Sequence, residues 1–271
     1  MSPRAFGIYN PGERLMIIEN YGAGARCAEA LRLLLADENR KLPPQVKRIV
    51  LLPIPTSRDK VHLSGTDKLL GEIFGGVGAG DLIAGYGIDD NAKLMMRERG
   101  AIVYDALDDE CFLAENAEET ALGAIGYILT STDTVPSDTR FTVVGYGRIG
   151  SRLVRMLLFL GAKVKVYTGK LKTSVSLGEC GIEARLFGKG DALDTSDTDV
   201  IINTAPTDLS ASFKDGRVPK NLRVIELASG ENFKGVEGVE RLPGIPDKSY
   251  GKSAGQSYYL HIIKYVSEVT K

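Results

Sequence analysis

Three glycines, Gly145, Gly147 and Gly150, stand in the spacing G-x-G-x-x-G. The spacing alone is common, but its setting is not. An apolar run, Phe141 to Val144, leads into it, and an amphipathic pattern with Leu153, Val154 and Leu157 follows. Between a strand and a helix, the first glycine permits a tight turn and the second clears room for a phosphate to approach the backbone. The third lets the helix pack closely on the sheet. The free N–H groups and positive dipole end of the helix then face an anion. The segment Gly145-Tyr146-Gly147-Arg148-Ile149-Gly150 is therefore expected to cradle a dinucleotide pyrophosphate, with Arg148 adding charge. Gly22-Ala23-Gly24 lacks the full spacing and reads as a plain turn.

The following strand tips extend this chemistry. The second ends Thr168-Gly169-Lys170, with Lys172 close behind and no carboxylate to hold a ribose 2′-hydroxyl. A missing acid removes repulsion against a 2′-phosphate, the lysines attract it, and Thr168 can donate to it. NADP(H) is preferred over NAD(H) on this basis; the alternative is that both lysines are ordinary surface charges. Ligands of open α/β sheets lie beyond the carboxyl ends of the strands. Asn203, Thr204, Ala205 and Pro206, and likewise Leu227, Ala228 and Ser229, are thus expected on the nicotinamide side. No catalytic residue is assigned. Of the two histidines, His62 falls in an irregular loop and His261 in the last helix.

The elements that must position these residues alternate between short apolar runs and helical patterns, the signature of parallel sheets covered by helices. Strands are expected at Leu15 to Ile18, Arg48 to Leu52, Asp81 to Tyr86 and Ala101 to Tyr104. A helix spans about Asp89 to Arg99, capped by Asp89 or Asp90. After a connecting helix from Glu118 to Ser131, strands recur at Phe141 to Val144, Val164 to Tyr167, Val200 to Asn203 and Val224 to Leu227. The expected architecture is two doubly wound, Rossmann-like α/β domains with a cleft between them: residues 1–117 on the substrate side and 118–252 binding the cofactor. The final helix, 253–271, packs back on the first. The 34 basic and 35 acidic residues give no field to attract nucleic acid or anionic lipid. Cys27, Cys111 and Cys180 make neither a disulfide framework nor a metal cluster, and no apolar run is long enough to span a membrane. The reading is of a cytoplasmic protein without metal, forming a homo-oligomer such as a dimer.

A series of motifs carries a more specific resemblance. In order they are LLPIP at Leu51 to Pro55, FGG at Phe74 to Gly76, RGAIVYD at Arg99 to Asp105, Asn116, and Thr120-Ala121. GYGRIG, INTAP at Ile202 to Pro206, ELAS at Glu226 to Ser229, LPGIP at Leu242 to Pro246 and SAGQ at Ser253 to Gln256 follow. The chain resembles the NADP-binding subunit of dipicolinate synthase, a sporulation enzyme, as a diverged member. Gly230 and Glu231 stand where the family pattern has an arginine after LAS. The resemblance implies an oxidoreductase forming dipicolinate from a dihydrodipicolinate-pathway intermediate, and a flavoprotein second subunit. For the implied carboxylate substrate, Thr56, Ser57 and Arg58 are candidate ligands, with Gly75 and Gly76 shaping the wall. Two other readings stay open: a 2-hydroxyacid-dehydrogenase-like enzyme, and a non-catalytic NADP-binding partner or sensor.

Overall fold

The computed structural model describes residues 4–8, 16–36, 42–188 and 190–271. They form two units, Met1–Asn116 with Pro246–Lys271, and Ala117–Ile245.

In the first unit, β1 (Arg4–Ile8), β2 (Met16–Asn20), β3 (Arg48–Leu51), β4 (Asp81–Gly85) and β5 (Ile102–Asp105) make one five-stranded sheet in that order. Strands β2 to β5 run parallel, and β1 pairs antiparallel at the edge. Side chains alternate across a strand. Ile49 and Leu51 therefore join Ile18, Leu82 and Tyr104 on one face, while Val50 joins Ile83 and Val103 on the other. Burial on both faces is why these strands read as unbroken apolar runs. The first face is covered by α1 (Ala25–Ala36) through Cys27, Ala30 and Leu34. The second is covered by α2 (Leu70–Gly75) through Ile73 and Phe74, and by α3 (Asp90–Glu98) through Met96. Asp89 caps α3, accepting from the Asn91 and Ala92 amides. The long helix α4 (Glu110–Thr130) begins ahead of the expected Glu118 because Asp109 caps it, accepting from the Cys111 and Phe112 amides at 3.0 Å.

The second unit contains β6 (Arg140–Val144), α5 (Arg148–Phe159), β7 (Lys163–Thr168), α6 (Leu171–Glu179), β8 (Glu183–Leu186), β9 (Val200–Asn203), β10 (Arg223–Glu226) and β11 (Val239–Arg241). Its six parallel strands lie in the order β11-β10-β9-β6-β7-β8. This is the 3-2-1-4-5-6 order of the Rossmann fold, whose direction reverses between β6 and β9. One face packs against Ala121, Ala124 and Ile128 of α4 and Leu153, Val154 and Leu157 of α5. Connecting segments cover the other with Phe187, Leu209, Phe213 and Phe233.

The chain ends in α7 (Ile245–Val269), kinked at Tyr250. Its residues Tyr258, Ile262 and Val266 are fully buried in the core of the first unit with Ile18, Leu34 and Tyr104. Three glycines allow α7 to close on α1. A Cβ on Gly24 would lie 2.5 Å from Asp247 Oδ1, and one on Gly255 would lie 2.7 Å from the Arg26 carbonyl. A Cβ on Gly251 would overlap Ala25. The Gly22-Ala23-Gly24 turn therefore serves a close helix approach. Asp247 in turn accepts the Arg26 amide at 2.7 Å and caps α1 from far along the chain.

Candidate functional site

The glycine turn joins β6 to α5 at the point where the strand order reverses. Gly145 has φ +94°, a left-handed conformation that glycine adopts without strain. A Cβ there would also lie 2.7 Å from Thr204 Oγ1. At Gly150 a side chain would run into the Gly145 carbonyl and lie 2.8 Å from Thr204 Oγ1, so this glycine lets α5 sit against the turn. Gly147 differs: a Cβ there would meet nothing within 4 Å. It is the N-cap of α5, and among the described residues no side chain caps that helix terminus. The first N–H groups of a helix lack partners within it. An uncapped terminus beneath an open glycine is a fit place for phosphate oxygens. Arg148 is exposed at the same end, and Tyr146 lines a cavity of about 420 Å³ on the flank of α5 with Ser151, Val154, Leu158 and Ile182.

At the tip of β7, Thr168 is buried and accepts the Lys170 amide at 3.3 Å, folding the Gly169–Lys170 turn. Lys170 and Lys172 are exposed and begin α6 beside that turn. The tips of β9 and β10 are more tightly tied than the sequence suggests. Thr204 Oγ1 donates to the Val144 carbonyl at 2.9 Å and also reaches the Gly145 carbonyl at 3.3 Å. Its hydroxyl thus holds the glycine turn. Asn203 is fully buried, and its Nδ2 donates to both oxygens of Glu226, at 3.1 and 3.2 Å. Glu226 also accepts the Ala228 amide at 2.8 Å. Burial pushes its carboxyl above the ordinary carboxylate range, against the opposing hydrogen bonds of Asn203, Ala228 and Asn232. Ala205 and Leu227 are half-buried, whereas Pro206 and Ser229 are exposed. Glu226 was not among the expected site residues. The available signal was a polar residue ending each of two apolar strands, VIIN and RVIE.

The expected substrate residues of the first unit do not converge. Thr56 is fully buried, and its hydroxyl accepts the Tyr86 amide at 2.8 Å, so it serves the loop between β3 and β4. Ser57 Oγ donates to the His62 carbonyl at 2.7 Å and accepts the Lys60 amide at 2.9 Å. Arg58 is exposed beside them. Gly75 and Gly76 lie elsewhere. Their carbonyls accept from Arg99 and Arg48, residues at the amino ends of β5 and β3, whereas Thr56–Arg58 follow the carboxyl end of β3. A four-residue strand separates the two ends by about 13 Å at 3.3 Å per residue. Gly75 and Gly76 therefore do not form a wall for Thr56, Ser57 and Arg58.

The same loop holds one arrangement with acid–base character. Asp59 Oδ2 contacts His62 Nδ1 at 2.7 Å, and Asp59 Oδ1 accepts the Val61 and His62 amides. The carboxyl of Asp59 is held well below the usual carboxylate range, first by the His62 amide and then by the His62 ring. His261 is buried instead, between Asp109 at 2.8 Å and Glu115 at 3.3 Å, where it ties α7 to α4. Among the described residues no cluster could hold a metal ion, and no helix is long and apolar enough to cross a membrane.

The fold is similar to that of dipicolinate synthase chains of known structure. The one from Bacillus subtilis aligns with a TM-score of 0.70 at 20% identity, covering 93% of this chain and 95% of the other. Its counterpart from Bacillus halodurans gives 0.67 at 21% identity, over 92% and 97%. A Salmonella D-lactate dehydrogenase gives 0.58 at 14% identity, over 94% and 96%. No family model matches the chain, and no curated protein matches it by sequence. These likenesses establish a Rossmann-like α/β fold, and they agree with the resemblance carried by the sequence motifs.

Proposed function

We propose that this chain is an NADP(H)-dependent oxidoreductase subunit of the dipicolinate synthase type, converting a cyclic dihydrodipicolinate-pathway intermediate to dipicolinate. A flavoprotein second subunit is expected to complete it. The observation that carries the reading is the glycine turn: an open Gly147 over the uncapped terminus of α5, at the strand-order reversal of a Rossmann sheet. In this reading the Arg148, Ile149 and Gly150 amides bind the pyrophosphate. Thr168, Gly169 and the Lys170 side chain hold the 2′-phosphate, and the 203–206 and 227–229 backbone carries the nicotinamide half. When bound, the dinucleotide supplies the hydride acceptor or donor at its nicotinamide ring. The test is a titration with NADP+ and NAD+ on wild type and on Lys170→Ala. NADP+ should bind several-fold more tightly than NAD+, and the variant should lose that preference. Equal affinity in wild type refutes the assignment of Thr168 and Lys170.

A second reading rests on the Asp59–His62 pair. A carboxylate that fixes one ring nitrogen leaves the other to exchange protons, as general acid–base catalysis requires. A 2-hydroxyacid-dehydrogenase-like enzyme would use His62 Nε2 to protonate the oxygen of a reduced carbonyl. NADPH or NADH oxidation by the isolated chain with 2-oxo acids, abolished in His62→Gln, supports this reading. Turnover that appears only with a flavoprotein partner supports the first. Tight cofactor binding without turnover in either assay indicates a sensor.

A further inference from the structure

The tips of β6, β9 and β10 are joined by side chains into one continuous network. It starts at the Val144 and Gly145 carbonyls, which receive Thr204 Oγ1. The neighbouring Asn203 accepts the Ala205 amide at its Oδ1 (3.1 Å) and donates from its Nδ2 to Glu226. Glu226 then receives the Ala228 amide. Asn203 and Glu226 are register partners, each the last residue of its strand. Both are buried. The pair thus fixes the course of two backbone segments as they leave the sheet at its carboxyl edge.

Burial works against this carboxylate. Asn203, the Ala228 amide and Asn232 all hydrogen-bond to Glu226, and Arg241 lies near enough to favour the anion, yet burial still outweighs them and raises its pKa. The sign follows from linkage. A carboxyl raised in the folded state contributes most when protonated, and that contribution is lost as pH rises through its raised value. Burying this carboxyl thus works against the fold as pH rises, and what it organises is the pair of segments tied to it through Asn203 and the Ala228 amide.

We propose that Asn203 and Glu226 are positioning residues for the nicotinamide half of the dinucleotide. Together they lock segments 203–206 and 226–229 into one preformed surface and leave the adenosine half untouched. The inference rests on the cofactor reading above. It goes further by dividing the site: Gly147, Arg148 and Lys170 bind phosphates, while the buried pair acts only where the ring is seated. In Glu226→Gln the new amide presents N–H groups to donors that now point at a carboxylate oxygen, so one link opens while the volume stays the same.

The experiment compares whole cofactors with their adenosine halves on the full chain: NADP+ against 2′,5′-ADP, and NAD+ against 5′-AMP. Glu226→Gln should weaken the dinucleotide about tenfold, the equivalent of one lost charge-assisted hydrogen bond, with its adenosine half bound as in wild type. Equal loss on both ligands overturns the proposal, because the pair would then act on the whole site. No loss on either also overturns it. A wild type that binds none of the four fails at the dinucleotide reading itself and takes the proposal with it. If Glu226→Gln does not fold, Asn203→Ala, which leaves the carboxylate its Ala228 and Asn232 partners, is judged by the same comparison.

Discussion

Substituting Gly147 and Gly150 separately by alanine should divide binding from stability within one turn. At Gly147 a methyl group meets nothing within 4 Å, and φ is −88°, which alanine adopts readily. Alanine is a poorer N-cap than glycine by roughly 0.5–1 kcal/mol. The stiffer unfolded chain returns about 0.4–1 kcal/mol, so the net change in stability should be close to zero. The methyl nevertheless stands where the phosphate must approach, and affinity for NADP+ should fall at least about tenfold, or 1.4 kcal/mol. At Gly150 the added carbon lies 2.9 Å from the Gly145 carbonyl carbon and 2.8 Å from Thr204 Oγ1, in a turn that cannot easily yield. A gain of about 1 kcal/mol in helix propensity is set against overpacking of about 1–3 kcal/mol. The net cost of about 0–2 kcal/mol should therefore lower thermal unfolding by up to about 8 °C, at about 2–4 °C per kcal/mol. Calorimetry and a fluorescence titration with NADPH read the two quantities. Wild-type affinity in Gly147→Ala would refute the assignment of that open face to phosphate.

The first unit supplies further tests of how its loops and helices are held. Lys93 is buried against Asp105, whose side chain is fully enclosed, and also meets Asp90 and Asp108 at 2.8 Å. Lys93→Met removes the cation beside Asp105, which keeps the Gly87, Ile88 and Leu107 amides, and should cost about 1–3 kcal/mol by denaturant unfolding. For Asp109, burial raises the carboxyl, but the Phe112 amide, His261 and Tyr104 together lower it below the usual range. Its contribution is therefore complete above the ordinary aspartate value of about 3.9 and is lost as pH falls through its lower folded value. Asp109→Asn should flatten the acid limb of the stability profile, and an unchanged slope would contradict this. Asp247→Ala removes the cap on α1 and should cost about 1 kcal/mol in the same measurement.

Much of the second unit was legible because its chemistry is local. A strand, three glycines at fixed spacing and an amphipathic helix are contiguous, so the tight turn at Gly145 and the close helix packing at Gly150 could be read from that setting. The strands β8 and β11 escaped notice because they are short and none of their residues is buried: EARL alternates over only four residues, and VER has a single apolar residue. The pairing of Asn203 with Glu226 was hidden for the opposite reason: it depends on register between strands 23 residues apart, which no local pattern encodes. Thr56 and Gly75 illustrate a further limit. Both belong to motifs of a plausible binding loop, yet a hydroxyl bonded to the Tyr86 amide and a glycine at the amino edge serve the fold. Burial and strand direction decided their roles, and neither is written in the residue type.

The route of the chain also bears on how the protein is made. Residues 117–245 form their unit from one continuous stretch, whereas the other unit takes Tyr258, Ile262 and Val266 from a helix synthesised after that stretch. During translation the inserted unit can reach its native packing first. The earlier segment must wait, with Ile18, Leu34 and Tyr104 lacking the helix that covers them, until α7 leaves the ribosome. A nascent chain halted before residue 246 should accordingly present a protease-resistant middle and a sensitive beginning.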